Sequence, residues 1–442
     1  MRLAALSVLA VVLAAAPAAT AAPPPVRSGA PISSHAMVHT CCTPPPMMER
    51  IFAESKAMGA RFIRVDVELN GIFEAGHSLG NPNWARLDAV MELSRRHALP
   101  VLGILLRPPT WAPFSDAEAF GQLAGEVAAH ARGTITRWEI LNEPDSAMAF
   151  DGTPEQYARM LRAAYDAIGA RVPEADVAMG GVATPEDGAW IERVLATPGA
   201  NAAHAFDIAN VHLRGPERSL SGKLVAWREL LRRHGFGGPV WVTEHGYPAD
   251  PAYQGDRAFR GGEAGQAAFL TESVLSLAEA GADEVFVTLR DNLDGGFASE
   301  GVVDIKDHAP FAARRKPSFA AVRRLVDRWD GLLAARAEQR LAEESARREE
   351  AYVAEWRARA TFYRAVTRGA QAKLASVRLR YWSARRQRAR IRLRRQIERA
   401  ALKVRELRSH TGWARAAADD FARRAALYEA HAAERGAFVA GG

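Results

Sequence analysis

"TRWEILNEPDS", Thr136 to Ser146, sets two glutamates, an asparagine and a proline in and just after an apolar run. Glu139 lies inside what reads as a buried strand, and Asn142-Glu143-Pro144 ends it. A buried carboxylate needs a partner or a task, because removing charge from water is costly unless it is paired. Proline cannot donate to a strand ladder, so the strand stops there. Whether the two carboxylates serve packing or chemistry depends on the surrounding chain.

Outward from this stretch, short β-branched runs alternate with helical stretches from about residue 30 to 330. The strand candidates are "ISSHAMVH", "RFIRVDVEL", "PVLGILLRPP", "ITRWEILNEP", "DVAMGGVA", "FDIANVHLR", "PVWVTEHGYP" and "DEVFVTLRDN". Amphipathic stretches such as "MMERIFAESKAMGA", "EQYARMLRAAYDAIGA" and "LVAWRELLRRHG" lie between them, several opening on cap-like residues (Asn83, Ser115, Thr153). Nearly continuous apolar strands alternating with helices mean a parallel sheet covered on both faces. Eight such units in about 300 residues have the size and period of a (β/α)8 TIM barrel, an α/β fold.

The ends of the chain have other compositions. Residues 1–22, "MRLAALSVLAVVLAAAPAATAA", have one early charge, an apolar run and an Ala19-Thr20-Ala21 cleavage pattern. That reads as a signal peptide and predicts a secreted protein with no membrane span after its removal. The two cysteines are the neighbours Cys41 and Cys42, which make either a local vicinal clamp or plain thiols, and no structural zinc site. Residues 331–442 hold 26 Lys and Arg against 12 Asp and Glu, a net +14, while the rest holds 32 against 39, a net −7. No proline follows Pro317. Apolar residues at three-four spacing, from Tyr363 through Val366, Ala370, Leu374 and Val377 and on to Val404 and Leu407, predict an all-α, coiled-coil-like extension. Gly369 is a candidate hairpin point, and a second helix is expected to begin near Ala414. The expected domains are therefore 1–22, 23–330 and 331–442.

In a barrel of this kind the active site lies at the C-terminal ends of the strands. Strand four ends at Glu143 and strand seven at Glu244, in "WVTEHGYP". Glycoside cleavage uses such a pair, one acid to protonate the leaving oxygen and one carboxylate facing the anomeric carbon. Asn142 supplies a neutral donor and acceptor for a sugar hydroxyl. "WEILNEP" followed by "WVTEHGYP" resembles the clan of retaining (β/α)8 glycoside hydrolases with Asn-Glu after strand four and Glu after strand seven. It is most similar to its β-xylosidase, exopolysaccharide-endoglycosidase and cellulase-like branch. The resemblance covers about residues 30–325. It implies that Glu143 is the acid/base and Glu244 the nucleophile of a double displacement. Arg64, in "RFIRVDV", then orients the nucleophile, and His212, in "ANVHLR", lies near the sugar. Two positions depart from the clan. Arg214 stands where a tyrosine often follows that histidine, and "FVTLRDN" offers Leu289 or Arg290 where a tryptophan platform is usual. Trp111 and Tyr247 are the candidates to supply stacking surface instead.

Each assignment has a plainer competitor. Glu143 alone reads as a loop carboxylate, Arg64 as an ion-pair partner, His212 as a core histidine, and Trp111 and Tyr247 as packing residues. Glu139 is assigned a structural pairing, with Arg64 as a candidate base. "GHSLG", Gly76 to Gly80, matches the nucleophile elbow of esterases, but the Pro-containing turn after Ser78 denies it the helix that motif requires. No phosphate loop or metal-ligand spacing occurs, and "DNLDGG" lacks the spacing of a calcium loop, so no cofactor and no metal are expected. The expected partner is a polysaccharide or oligosaccharide substrate. The basic extension fits an anionic cell-surface polymer or self-association, with nucleic acid the least favoured. The second function class is a catalytically inert carbohydrate-binding or surface structural protein on the same barrel.

Overall fold

The computed structural model describes residues 29–74, 76–250, 261–291, 298–306 and 310–441. The signal peptide read at 1–22 and most of "DNLDGG" lie outside them. Two compact units are present: Met1–Gly262 with Glu272–Arg314, and Glu263–Thr271 with Arg315–Gly442.

The first unit is an eight-stranded parallel barrel. Its strands are β1 (Ile32–His39), β2 (Ile63–Glu68), β3 (Val101–Leu106), β4 (Arg137–Asn142), β5 (Asp176–Gly181), β6 (Ala209–His212), β7 (Val240–His245) and β8 (Glu284–Thr288). Each falls within the run that predicts it. The hydrogen-bonded order is β5-β4-β3-β2-β1-β8-β7-β6. The circle closes through parallel bridges Ala178–Ile208 and Val182–Val211.

The connecting helices are α1 (Pro45–Met58), α2 (Leu69–Phe73), α3 (Ala85–His97), α4 (Ala117–His130), α5 (Pro154–Arg171), α6 (Gly188–Leu195), α7 (Glu217–Arg233) and α8 (Gly262–Glu279). Thr153 caps α5 in a full capping box with Gln156. The α4 cap is Asp116, one residue past the expected Ser115: the helix begins at Ala117, and the Asp116 side chain accepts from the Ala119 N–H. Among the described residues no helix is long and apolar enough to cross a membrane.

The barrel interior changes character along its axis. Phe62, Leu102, Ala178, Ile208, Trp241 and Phe286 form a buried apolar plug, with Phe62–Trp241 and Trp241–Phe286 ring centroids 5.3 and 5.6 Å apart. Strand side chains alternate faces, so Arg64, two residues beyond Phe62, points inward one layer higher. The plug thus dries the floor beneath a charged layer at the C-terminal mouth.

In the second unit, helices α9 (Pro317–Ser383) and α10 (Gln387–Gly441) pack antiparallel. Arg435 meets Glu338 at 2.8 Å, Tyr352 packs on Phe421 with centroids 5.0 Å apart, and Tyr363 stacks on His410. The chain reverses at Ala384–Arg386, not at Gly369, and α10 runs unbroken past Gly412 and Ala414. Glycine costs a helix interior only about 1 kcal/mol, which a packed partner helix offsets. The actual break falls inside a run of like-charged arginines. The buried seam also differs from expectation. Val377, Val404 and Leu407 of the expected seam are buried, but most of it is built on Ala335, Ala342, Ala346, Val353 and Ala360 on α9 and Ala414, Ala418, Ala425, Ala432 and Val439 on α10, while Val366 and Ile391 are exposed. Small residues spaced mostly by sevens let the helices approach closely and push the large side chains to the flanks.

Overpacking a fitted seam costs roughly 1–3 kcal/mol. Ala418→Leu is therefore expected to lower the thermal midpoint followed by circular dichroism at the helix band. Ala416→Leu, at an exposed position of the same helix, should leave it unchanged. Equal effects of the two would discount the alanine seam.

Candidate active site

Arg64 is 1% exposed and donates with all five of its N–H groups. Nε and one terminal nitrogen hold Glu139 in a fork, each at 2.8 Å. The same terminal nitrogen reaches Asn142 Oδ1 at 2.7 Å. The other reaches Glu244 Oε1 at 2.7 Å and His35 Nδ1 at 3.2 Å. Strands β1, β2, β4 and β7 are tied to one guanidinium, and Glu139 has the structural pairing expected of it. Its Oε1 also accepts from the Gly181 N–H at 3.1 Å.

Glu143 leaves β4 on strained backbone, with φ +65° at Leu141 and +44° at Glu143. Left-handed conformations of such residues persist only where the surroundings over-determine them. Here the Tyr157 hydroxyl donates to Ile140 O (3.2 Å) and accepts from the Gly180 N–H (2.7 Å). Asp145 accepts from Ala183 N, Thr184 N and Thr184 Oγ1 at 2.7–2.9 Å. Glycine is needed opposite: a Cβ on Gly180 would meet Ile140 O at 2.6 Å, and one on Gly181 would meet the His212 ring. His212 Nδ1 lies 3.0 Å from Glu143 Oε1.

Glu244 is almost buried, at 7% exposure, and both its oxygens are held. Oε1 accepts from Arg64, and Oε2 accepts from Arg214 at 2.9 Å. Burial pushes its pKa up, but His212, His35, Arg214 and Arg64 outweigh this and hold the carboxyl well below the usual range. His35 is itself pushed down to about 3, by burial first and by Arg64 and Arg214 against the opposing pull of Glu244. Neutral at ordinary pH, it accepts from Arg64 at Nδ1 and so carries its proton on Nε2. The permanent cations at Glu244 are thus the two arginines.

Two buried imidazole atoms, His35 Nε2 and His212 Nε2, have no hydrogen-bond partner. They lie 3.8 and 3.6 Å from Glu244 Oε1. Unpaired buried polar atoms are rare in native interiors, and His35 borders a cavity of about 790 Å3 lined also by Arg64, Asn142 and Glu244, and farther out by Phe114 and Met148.

The structure therefore brings Arg64, Asn142, Glu143, His212 and Glu244 together. Trp111 does not line the cavity; its indole donates to Phe73 O at 3.1 Å. Tyr247 is buried, and its hydroxyl accepts from the Gly261 N–H at 2.7 Å. Several participants were not singled out from sequence. Arg214, noted there only as a departure, forks Glu300 at 3.1 and 3.2 Å while holding Glu244. Glu300 is buried and accepts from Thr288 Oγ1 at 3.1 Å. No local pattern marks Glu300, whereas a histidine in a barrel strand is a signal that would have found His35.

A second cluster forms at the ends of β1 and β2. His39 Nδ1 lies 2.7 Å from Asp66 and 3.3 Å from Glu68. Glu68 also accepts from Thr40 Oγ1 and the Cys41 N–H. Cys41 and Cys42 are free thiols, the second of their two sequence readings. Among the described residues, His39/Asp66/Glu68 and Glu143/His212/Glu244 are the two sets whose potential ligand atoms lie within 4.8 Å of one another.

Three solved structures share this barrel. GH5_18 from Streptomyces cattleya in complex with GlcNAc aligns at TM-score 0.51 and 17% identity, over 68% of this chain and 80% of that one. An exo-β-1,4-mannosidase from Opitutaceae bacterium strain TAV5 aligns at TM-score 0.51 and 17% identity, over 68% and 60%. A glucosidase from Croceicoccus marinus aligns at TM-score 0.50 and 16% identity, over 62% of each chain. What the chain shares with them is the (β/α)8 barrel fold. The alignment spans less than two thirds of the mannosidase and the glucosidase. No family model matches the chain, and no curated protein matches it in sequence.

His39 is raised to about 10, chiefly by its hydrogen bonds to Asp66 and Glu68 against burial. A raised histidine stabilises the fold fully below its unfolded pKa of about 6.5 and loses that contribution as pH climbs through the folded value. The stability advantage of the native chain over His39→Gln should therefore be constant below about pH 6.5 and shrink towards pH 10. Thermal melts across that range test it, and a pH-independent difference would contradict the ion pair.

Proposed function

We propose that this protein is an exported, retaining O-glycosidase of polysaccharides or oligosaccharides, with Glu244 as nucleophile and Glu143 as acid/base. The observation that carries the reading is the pairing of Glu143 and Glu244, whose oxygens come within 4.8 Å of each other, with Glu244 held ionised. Retaining pairs of carboxyl groups stand about 5–5.5 Å apart and inverting pairs about 6.5–9.5 Å; a closest approach of this size supports the retaining arrangement without room for a water between the nearest oxygens.

In the first step Glu244 attacks the anomeric carbon while Glu143 gives its proton to the departing oxygen. A glycosyl ester of Glu244 forms and the alcohol leaves. In the second, Glu143 takes a proton from water, whose oxygen attacks the same carbon and releases Glu244. Arg64 and Arg214 keep the nucleophile ionised and fix its orientation without holding a proton to lose. His212 holds Glu143 in place, its Nδ1 3.0 Å from Oε1. The His35 Nε2–H and Asn142 offer contacts for sugar hydroxyls. An inert binding protein would not need a nucleophile held ionised by two arginines, which weighs against the second function class. We assign catalysis to residues 23–330, since all of these groups lie between His35 and Glu300.

Against aryl glycosides, Glu244→Gln should abolish turnover. Glu143→Ala should lose about a hundred- to ten-thousandfold on poor leaving groups and recover with azide on activated ones, because azide needs no base and an activated leaving group no acid. Proton NMR should show the retained anomer first. Full activity in both variants would refute the assignment.

The chain ended after Asp330 should keep its turnover on a small soluble glycoside. Loss of that turnover, with the barrel still folded, would place part of the active site in residues 331–442.

A further inference from the structure

The positive charge of the second unit is concentrated at one end of the hairpin. Residues 356–413 contain eighteen Lys and Arg against two acids, Glu398 and Glu406. The rest of 331–442 has no excess of basic residues. Between Arg378 and Arg395, around the turn, nine arginines and no acid occur, and every one of the nine is exposed. Among the described residues, Arg394 alone of these stands within ion-pair distance of a carboxylate, Glu398 at 3.5 Å. Large apolar side chains are exposed among them: Leu379 at 72%, Trp382 at 76% and Ile391 at 54%. Leu379 and Trp382, three apart, share one face of α9.

We infer that this end of the hairpin docks on an anionic lipid surface, with Trp382, Leu379 and Ile391 entering the headgroup region and the arginines holding the phosphates. Basic residues near an anionic bilayer are each attracted to it. Stable anchoring combines such charge with apolar burial, and tryptophan favours the membrane interface. The arginine stems bury their methylenes while the guanidinium groups remain in the polar layer. A soluble polyanion would satisfy the arginines and leave Trp382, Leu379 and Ile391 in water. A second copy of the same end would bring nine arginines against nine. The lipid surface accounts for both features, and the inference is independent of the glycosidase reading.

The test is co-sedimentation of the full chain with vesicles of phosphatidylcholine alone or with about one third phosphatidylglycerol, and, in parallel, retention on heparin. The native protein should bind the anionic vesicles and not the neutral ones, with salt weakening the binding. Leu379→Ser with Trp382→Ser should weaken vesicle binding at least about tenfold, a difference of about 1.4 kcal/mol, and leave heparin retention unchanged. Arg385→Gln, Arg386→Gln and Arg388→Gln together should weaken both. Circular dichroism checks that helix content is kept, as expected for exposed positions. Failure to bind anionic vesicles would overturn the inference, and heparin retention in that case would assign the surface to a soluble polyanion. Undiminished vesicle binding by the Leu379/Trp382 variant would overturn it as well.

Discussion

The Arg64 guanidinium is the constraint around which the barrel mouth is organised. Its five N–H groups have five acceptors, drawn from β1, β4 and β7. Removing one partner of a buried ion pair costs about 3–5 kcal/mol, since the other charge is stranded. Here Glu139 and Glu244 would both be stranded. Arg64 therefore cannot be traded for another cation: lysine has three donors and no planar fork. Glu139 is the structural counterweight that neutralises Arg64 on one side, which leaves the other side free to orient Glu244.

That arrangement explains how much of the site was readable from sequence. Eight strands were legible because each is a continuous apolar run closed by a turn signal, as a doubly covered parallel sheet requires. Glu143 and Glu244 were legible because charge at the end of such a run has few structural excuses. Glu300 was not: it sits past β8 outside any periodic pattern, and only its fork with Arg214 makes it part of the site. His35 and His39 were within reach, since both interrupt or close the first strand. Trp111 and Tyr247 read as sugar platforms from residue type alone, which does not say how a ring is held; their polar atoms are engaged with backbone groups.

The helical hairpin shows the same limit from another side. Large apolar residues at three-four spacing pointed to a seam of which Val377, Val404 and Leu407 are buried and Val366 is not, whereas most of the buried seam runs through alanines. Alanine carries little weight in a hydrophobic pattern, yet at seven-residue spacing it allows close approach along the length of both helices. The side chains displaced from that seam are the ones that end up in solvent beside the arginines. Composition reported the charge of this segment correctly, but only the pairing of α9 with α10 showed that the charge and the exposed aromatic surface share one end.

The charge balance at Glu244 bears on the proposed chemistry. Two arginines on one carboxylate would seem to weaken it as a nucleophile by over-stabilising the anion. Arg214, however, is shared with Glu300, and Arg64 is shared with Glu139. Counted as ion pairs, two guanidinium groups face three carboxylates, and His35, pushed down to about 3, adds no positive charge at ordinary pH. Among the described residues each guanidinium is thus divided between Glu244 and a second, buried carboxylate. Glycoside cleavage passes through an oxocarbenium-like transition state, and a carboxylate held ionised stabilises developing positive charge more than it stabilises the neutral substrate. Glu300 thus tempers the proposed nucleophile: without it, Arg214 would bear more fully on Glu244.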